Sequence, residues 1–150
     1  MAALNDKFDV IRGWEPGGDA SVDQSLPIHK VAGVMVTLLP GYIVEVAPGG
    51  DIDVSTSPNL AIADPIQVYV VLEGNGSDLS PRFLEKATVL RGKLTLKTDK
   101  VQPAQVFAVG SPVSFSSGLL KDKAANEQII GYVLANNLTS DGTINVEVDL

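Results

Sequence analysis

Cysteine is absent, histidine and tryptophan occur once each, and aromatic residues make up only 5% of the chain. The lack of cysteine removes disulfide frameworks, thiolate metal sites and cysteine nucleophiles together. With His29 as the single histidine, a tetrahedral zinc site would need three carboxylates, and a Ser-His-Asp site would have only one base to draw on. No stretch approaches the ~18 consecutive apolar residues of a membrane-crossing helix. The opening Met-Ala-Ala-Leu-Asn-Asp-Lys-Phe-Asp-Val carries acids where a secretory signal needs a basic start and a greasy run. A soluble protein made in a cytoplasm is the expectation.

Charge is one-sided. Eleven Lys and Arg stand against eighteen Asp and Glu, a net charge of −7. Such a field repels phosphate backbones, so nucleic acid is not an expected partner, and without a long apolar segment neither is a membrane. Arg91, Lys93, Lys97 and Lys100 form the one loose basic cluster. Leu94, Leu96 and Asp99 interrupt it, which reads as a solvated strand face.

What remains is the composition of a globular domain. A chain of 150 residues with 45% hydrophobic content fits one domain, burying roughly 68–70% of its unfolded surface. Fourteen Gly and nine Pro are scattered along it. Scattered turn residues mean many short strands.

Residues 1–30 stand apart from the rest. Phe8, Val10, Ile11 and Trp14 precede the polar run Glu15-Pro16-Gly17-Gly18-Asp19-Ala20-Ser21, whose proline and paired glycines disfavour a helix. The segment reads as an extended N-terminal arm, and residues 31–150 as an all-β domain, a small barrel or sandwich. Apolar, β-branched runs at 34–39 and 41–46 meet at Pro40-Gly41, 55–64 reads as a loop, and 65–72 is rich in Val, Ile and Tyr. Residues 80–86, with Pro81 near a helix start, fit one helical turn. Gly92 separates strands at 88–91 and 93–98. Gly110-Ser111-Pro112 leads into Val113-Ser114-Phe115, Ser116-Ser117-Gly118 turns the chain into Leu119-Leu120, and 129–134 is another strand. The closing strand alternates throughout: Ile144, Val146, Val148 and Leu150 on one side, Asn145, Glu147 and Asp149 on the other. Period-two alternation puts one face on a core and the other in water. Seven to nine short strands result.

Chemistry is harder to find. His29, next to Lys30, reads as a solvent or interface histidine. Asp51-Ile52-Asp53 after Gly49-Gly50 lacks the ligand series of a calcium loop and reads as a polar turn. Gly74-Asn75-Gly76-Ser77 has no lysine where a phosphate loop needs one. Asn75-Gly76-Ser77 and Asn137-Leu138-Thr139 match the short glycosylation pattern. No carboxylate pair can be nominated for glycoside hydrolysis. No catalytic, cofactor-binding or metal-ligating residue is therefore assigned, no cofactor is expected, and the chain is not expected to be an enzyme. Tyr42, Tyr69 and Tyr132 fall in strands and read as core or sheet-face residues. Trp14 differs, because an isolated tryptophan on an extended segment suits either an anchor in a partner's pocket or a fold back onto its own domain. Phe8, Val10, Ile11 and Trp14 are the candidate partner-binding residues.

The carboxy-terminal half carries a resemblance. Val109-Gly110-Ser111-Pro112-Val113, Gly118-Leu119-Leu120, Gln128-Ile129-Ile130-Gly131-Tyr132-Val133-Leu134 and Asp141-Gly142-Thr143-Ile144-Asn145-Val146-Glu147-Val148 occur in an order and spacing that resembles the head-decoration (capsid cement) proteins of tailed bacteriophages. Pro40-Gly41-Tyr42-Ile43-Val44 is similar to an early strand of that group, and the likeness spans roughly residues 31–150. It implies a β-rich, barrel-like domain on the outer capsid surface of a virion, often trimeric at three-fold positions, holding major capsid protein subunits together. In several such proteins an N-terminal arm reaches onto the shell. The expected partners are then the major capsid protein and neighbouring copies of the chain, as a homotrimer. A carbohydrate- or surface-binding β module is the alternative, and it calls for exposed aromatics on one sheet face.

Overall fold

The computed structural model describes residues 7–13, 21–56, 60–61, 64–75 and 86–150. Among these the chain is all-β, with thirteen strands and no helix. The first six are β1 (Asp9–Arg12), β2 (Ser21–Pro27), β3 (Lys30–Val31), β4 (Val34–Met35), β5 (Ile43–Val46) and β6 (Ile52–Val54). Then come β7 (Val68–Glu73), β8 (Lys86–Arg91), β9 (Lys93–Thr98), β10 (Pro112–Ser116), β11 (Leu119–Asp122), β12 (Gly131–Asn137) and β13 (Thr143–Asp149). A six-stranded sheet has the order β1-β9-β13-β12-β10-β11 and a five-stranded sheet the order β2-β8-β7-β5-β6, with β3 and β4 forming a separate ribbon. The sheets are not closed into a barrel.

In the six-stranded sheet the period-two pattern decides which side faces in. Ile144, Val146 and Val148 of β13 are fully buried, while Asn145 and Glu147 between them are not. They pack with Leu94 and Leu96 of β9, Val113 and Phe115 of β10 and Val133 of β12. Each such side chain contributes roughly 1.5–3 kcal/mol on burial. Gly131 opens β12 because nothing larger fits there. A Cβ at that position would lie 2.1 Å from the Glu147 carbonyl oxygen of the neighbouring strand.

The five-stranded sheet is covered on both faces. Ile43, Val70 and Leu90 join the core shared with the six-stranded sheet. Their chain neighbours Val44, Val71 and Val89 point the other way, into a second cluster with Ile28, Leu38 and Ile52. Burial on both sides explains why β7 reads as the continuous apolar run Val68-Tyr69-Val70-Val71-Leu72 rather than as an alternating one. Loops are tied to these sheets by side-chain amides that imitate strand pairing. Asn75 accepts from Leu38 N at 2.8 Å and donates to Val36 O at 2.9 Å. Gln128 accepts from Ile66 N and donates to Ile66 O, both at 2.8 Å.

Several local expectations change. More strands exist than seven to nine, because short pairs such as β3–β4 and the first thirty residues add to the total. Residues 51–53 are not simply a polar turn: the turn is closed by Ala47 N donating to Asp51 O at 2.7 Å, and β6 begins at the fully buried Ile52. The strand expected over 34–39 shortens to β4. Of the helical turn expected at 80–86, only Lys86 lies within the described residues, and it starts β8.

Candidate interaction surface

The segment read as an arm supplies edge strands to the domain. β1 pairs antiparallel with β9, and β2 with β8. An exposed β9 edge offers unpaired backbone groups, and a strand on the same chain fills them without losing the translational freedom that a separate partner loses. Phe8 and Val10 are half-buried against the shared core. Gly41, with φ +93°, makes the bed for Phe8: a Cβ there would come within 2.9 Å of Phe8 Cδ2 and of Lys100 Cγ. Asp99 N donates to Lys7 O at 3.1 Å, and the Lys7 ammonium donates to the Asp141 carbonyl. Ile11, on the outward side of β1, is 46% exposed. Trp14 lies outside the described residues. The structure thus brings Phe8 and Val10 onto the chain's own core and leaves Ile11 at the surface.

The titratable groups are held by neighbours. His29 Nδ1 lies 3.0 Å from Asp51 Oδ1, and its Nε2 lies 3.8 Å from Asp53 Oδ2. The His29 backbone is also engaged, donating to Ile52 O and accepting from Val36 N at 2.9 Å each. Histidine and both aspartates therefore stitch the chain after β2 to the far edge of the five-stranded sheet. Across the β5–β6 pair, burial pushes the Glu45 carboxyl up, against the hydrogen bonds from Thr56, and Asp53 adds to the rise. Asp141 is held down to about 2 by the Thr143 hydroxyl and then by Lys97, whose Nζ is 3.0 Å from Asp141 Oδ2. Among the described residues no group of three or more His, Asp or Glu is placed to hold a metal ion.

The basic cluster divides along the strands. Lys93 and Lys97 sit on the outward side of β9, beside Glu147 at 3.7 Å and Asp141 respectively. Lys100 is buried and paired with Asp99 at 2.8 Å. Arg91 lies 5.7 Å above the Tyr69 ring. Each cation has a local partner, so they do not line up as a phosphate track.

The feature missed by residue-by-residue reading is an exposed apolar face, bordered by Glu147, which lies opposite Tyr132 in the strand register. Residues 106–110 run beside β12, with Gly110 N donating to Val133 O at 2.8 Å and Asn136 Nδ2 to Phe107 O at 3.0 Å. Phe107 plugs the core, which turns its neighbours outward: Val106 is 75% and Val109 70% exposed. Beside them, Tyr132 and Leu134 project from β12, 51% and 45% exposed, with Ile129 close by in sequence. Tyr42 and Tyr69 instead pack against the second cluster. A signal for this face does exist in the sequence, because residues 101–120 and 128–140 contain no Asp, Glu, Lys or Arg.

Compared with protein-family models, with curated proteins and with solved structures, the chain matches none.

Proposed function

We propose that the chain is a capsid decoration protein, binding the outer surface of a phage head and stabilising contacts between major capsid subunits. One observation carries the reading. The separated motifs behind the resemblance fall on β10, β11, β12 and β13, which are contiguous strands of one sheet. Their order and spacing thus coincide with one run of neighbouring strands, which supports the reading. We read the two sheets as a two-layer sandwich, with the N-terminal arm laid along their edges. In this reading Phe8 and Val10 fasten the arm to the domain, while Ile11 and Trp14 are the anchors offered to the shell. Tethering several copies at one site multiplies weak anchors into firm attachment.

The test is co-sedimentation of purified protein with decoration-free heads, comparing the wild type with Ile11→Asp and Trp14→Ala. Loss of at least about tenfold in affinity, the equivalent of about 1.4 kcal/mol, is expected with unchanged circular dichroism. Equal binding by all three would move the attachment surface away from the arm. A carbohydrate-binding module calls for a row of exposed aromatics. Among the described residues Tyr132 is the one aromatic of the exposed large hydrophobics, a single platform rather than a row.

A further inference from the structure

We infer that the groove on the outward side of β12 and β13 is a docking site for an extended, basic segment of another protein, one with two cationic side chains at alternate positions. Its observations are separate from those behind shell binding, and it stands without that reading.

The strand register builds the site. Tyr132 of β12 stands directly opposite Glu147 of β13, and Asp149 opposite Lys93 of β9. These side chains, with Ile129, line a groove of about 460 Å³. Opposed residues on paired strands have Cβ atoms about 4.5–5.5 Å apart, so the Tyr132 ring and the Glu147 carboxylate reach one bound group together. A cation over an aromatic face is attracted by the ring, and a guanidinium there can also present its N–H edge to a carboxylate. Asp149 repeats the acidic group two residues on, on the same side of β13, about 6–7 Å away. An extended partner has the same repeat, so cations at its positions i and i+2 meet the two carboxylates. At Asp149 the groove meets a second recess of about 310 Å³ that includes Gln67, which prolongs the track for a segment of several residues.

Charge decides the sign of the occupant. In the lining two carboxylates face one ammonium, that of Lys93, half-exposed and 3.7 Å from Glu147. One ammonium does not use up the acceptor sites of two carboxylates. The chain as a whole carries −7, a field that attracts a basic segment and repels an acidic one. Apolar neighbours set the rest of the chemistry. Val109 and Leu134 lie exposed beside Tyr132, so aliphatic side chains next to the partner's cations are covered on docking. An aromatic anchor with surrounding groups that exclude water is the composition of a binding hot spot. Tyr132 stands on a sheet and Val109 on a hydrogen-bonded loop, so little ordering is required on contact.

The experiment uses full-length protein and no shell, so its failure and the failure of shell binding are separate results. The probe is the blocked peptide acetyl-Leu-Ser-Arg-Ser-Arg-Ser-Leu-amide, whose leucines and arginines share one side when extended. Calorimetric titration should show saturable binding of one peptide per chain, weakening as salt is raised. Replacing both arginines of the peptide by glutamate should abolish it. Glu147→Gln and Asp149→Asn should each weaken binding by about two- to fivefold, the scale of an exposed ion pair. Tyr132→Ala should cost a similar factor, from the lost ring face. Lys93→Gln should tighten binding, because the resident competitor for Glu147 is gone. Amide NMR shifts of the wild type should move at residues 129–134 and 147–149 on titration, which keeps the test decisive if a variant misfolds. No saturable binding of the arginine peptide overturns the inference. So does equal binding of the glutamate peptide, or weaker binding by Lys93→Gln. Full affinity retained by Glu147→Gln, Asp149→Asn and Tyr132→Ala, or shifts confined to other segments, overturns it as well.

Discussion

Phe8 occupies the space that Gly41 leaves empty: a Cβ on Gly41 would stand 2.9 Å from Phe8 Cδ2. This one contact fastens the first described residues of the chain to the turn before β5. Gly41→Ala should therefore cost about 1–3 kcal/mol, from a side chain forced into a φ of +93° and from displacement of the ring. Phe8→Ala removes the obstacle but also the packing. If the two residues interact as described, the double variant costs less than the sum of the single ones, by an interaction term of about 0.5 kcal/mol or more. Urea denaturation of the four proteins measures it, and strict additivity would contradict the contact.

The closing strand gives a sharper contrast between neighbours. Val146 is fully buried, between Val133 of β12 and Leu96 of β9. Val146→Asp places a carboxylate in that core, at a cost of several kcal/mol or forced protonation. Against a typical domain stability of about 5–15 kcal/mol, soluble expression should largely fail. Glu147→Lys faces water and loses one exposed pair with Lys93, a change of no more than about 1 kcal/mol. Similar melting temperatures for the two would reverse the facing of β13.

How far the fold could be read beforehand varied with burial geometry. β13 was legible because it is buried on one side only, so alternation from Ile144 to Val148 mapped directly onto structure. β7 and β5 sit between two clusters, and Val70-Val71 or Ile43-Val44 then carry no phase information. β6 was hidden because Ile52, its buried anchor, stands between two aspartates after a Pro-Gly-Gly turn, and a three-residue strand shows no period. The first thirty residues carry the composition of an extended segment, but nothing local records that β9 and β8 have edges for β1 and β2 to fill. Tyr132 falls in a run whose pattern marks a strand. Its place on an exposed apolar face depends on residues 106–110 lying beside β12, a non-local fact.

Acid should act on Asp141. Its folded-state pKa is depressed from 3.8 to about 2 by Thr143 and Lys97. A depressed carboxyl contributes stability that is present in full above its ordinary value and is lost as pH falls through the folded one. The wild type should therefore lose stability between about pH 4 and pH 2, and Asp141→Asn should flatten that part of the profile. Thermal melts of both proteins across this range decide it. Parallel profiles would contradict the pairing.

Ser114 presents the opposite case, a polar group the fold would be better without. Its hydroxyl is buried with no hydrogen-bond partner among the described residues, on β10 between Val113 and Phe115. An unpaired buried hydroxyl costs roughly 1–3 kcal/mol, and alanine loses little volume. Ser114→Ala should raise the melting temperature by several degrees. A lower one would mean that the hydroxyl has a partner in solution.

The proposal that this chain cements a shell is tested most directly by calorimetry of decoration-free heads with increasing amounts of purified protein. The expected result is saturable uptake at a fixed number of copies per head, with the shell's melting transition rising until the sites are filled, as for any ligand that binds only the assembled state. Heads that melt at the same temperature at every concentration, with all of the chain left in the supernatant, would contradict it.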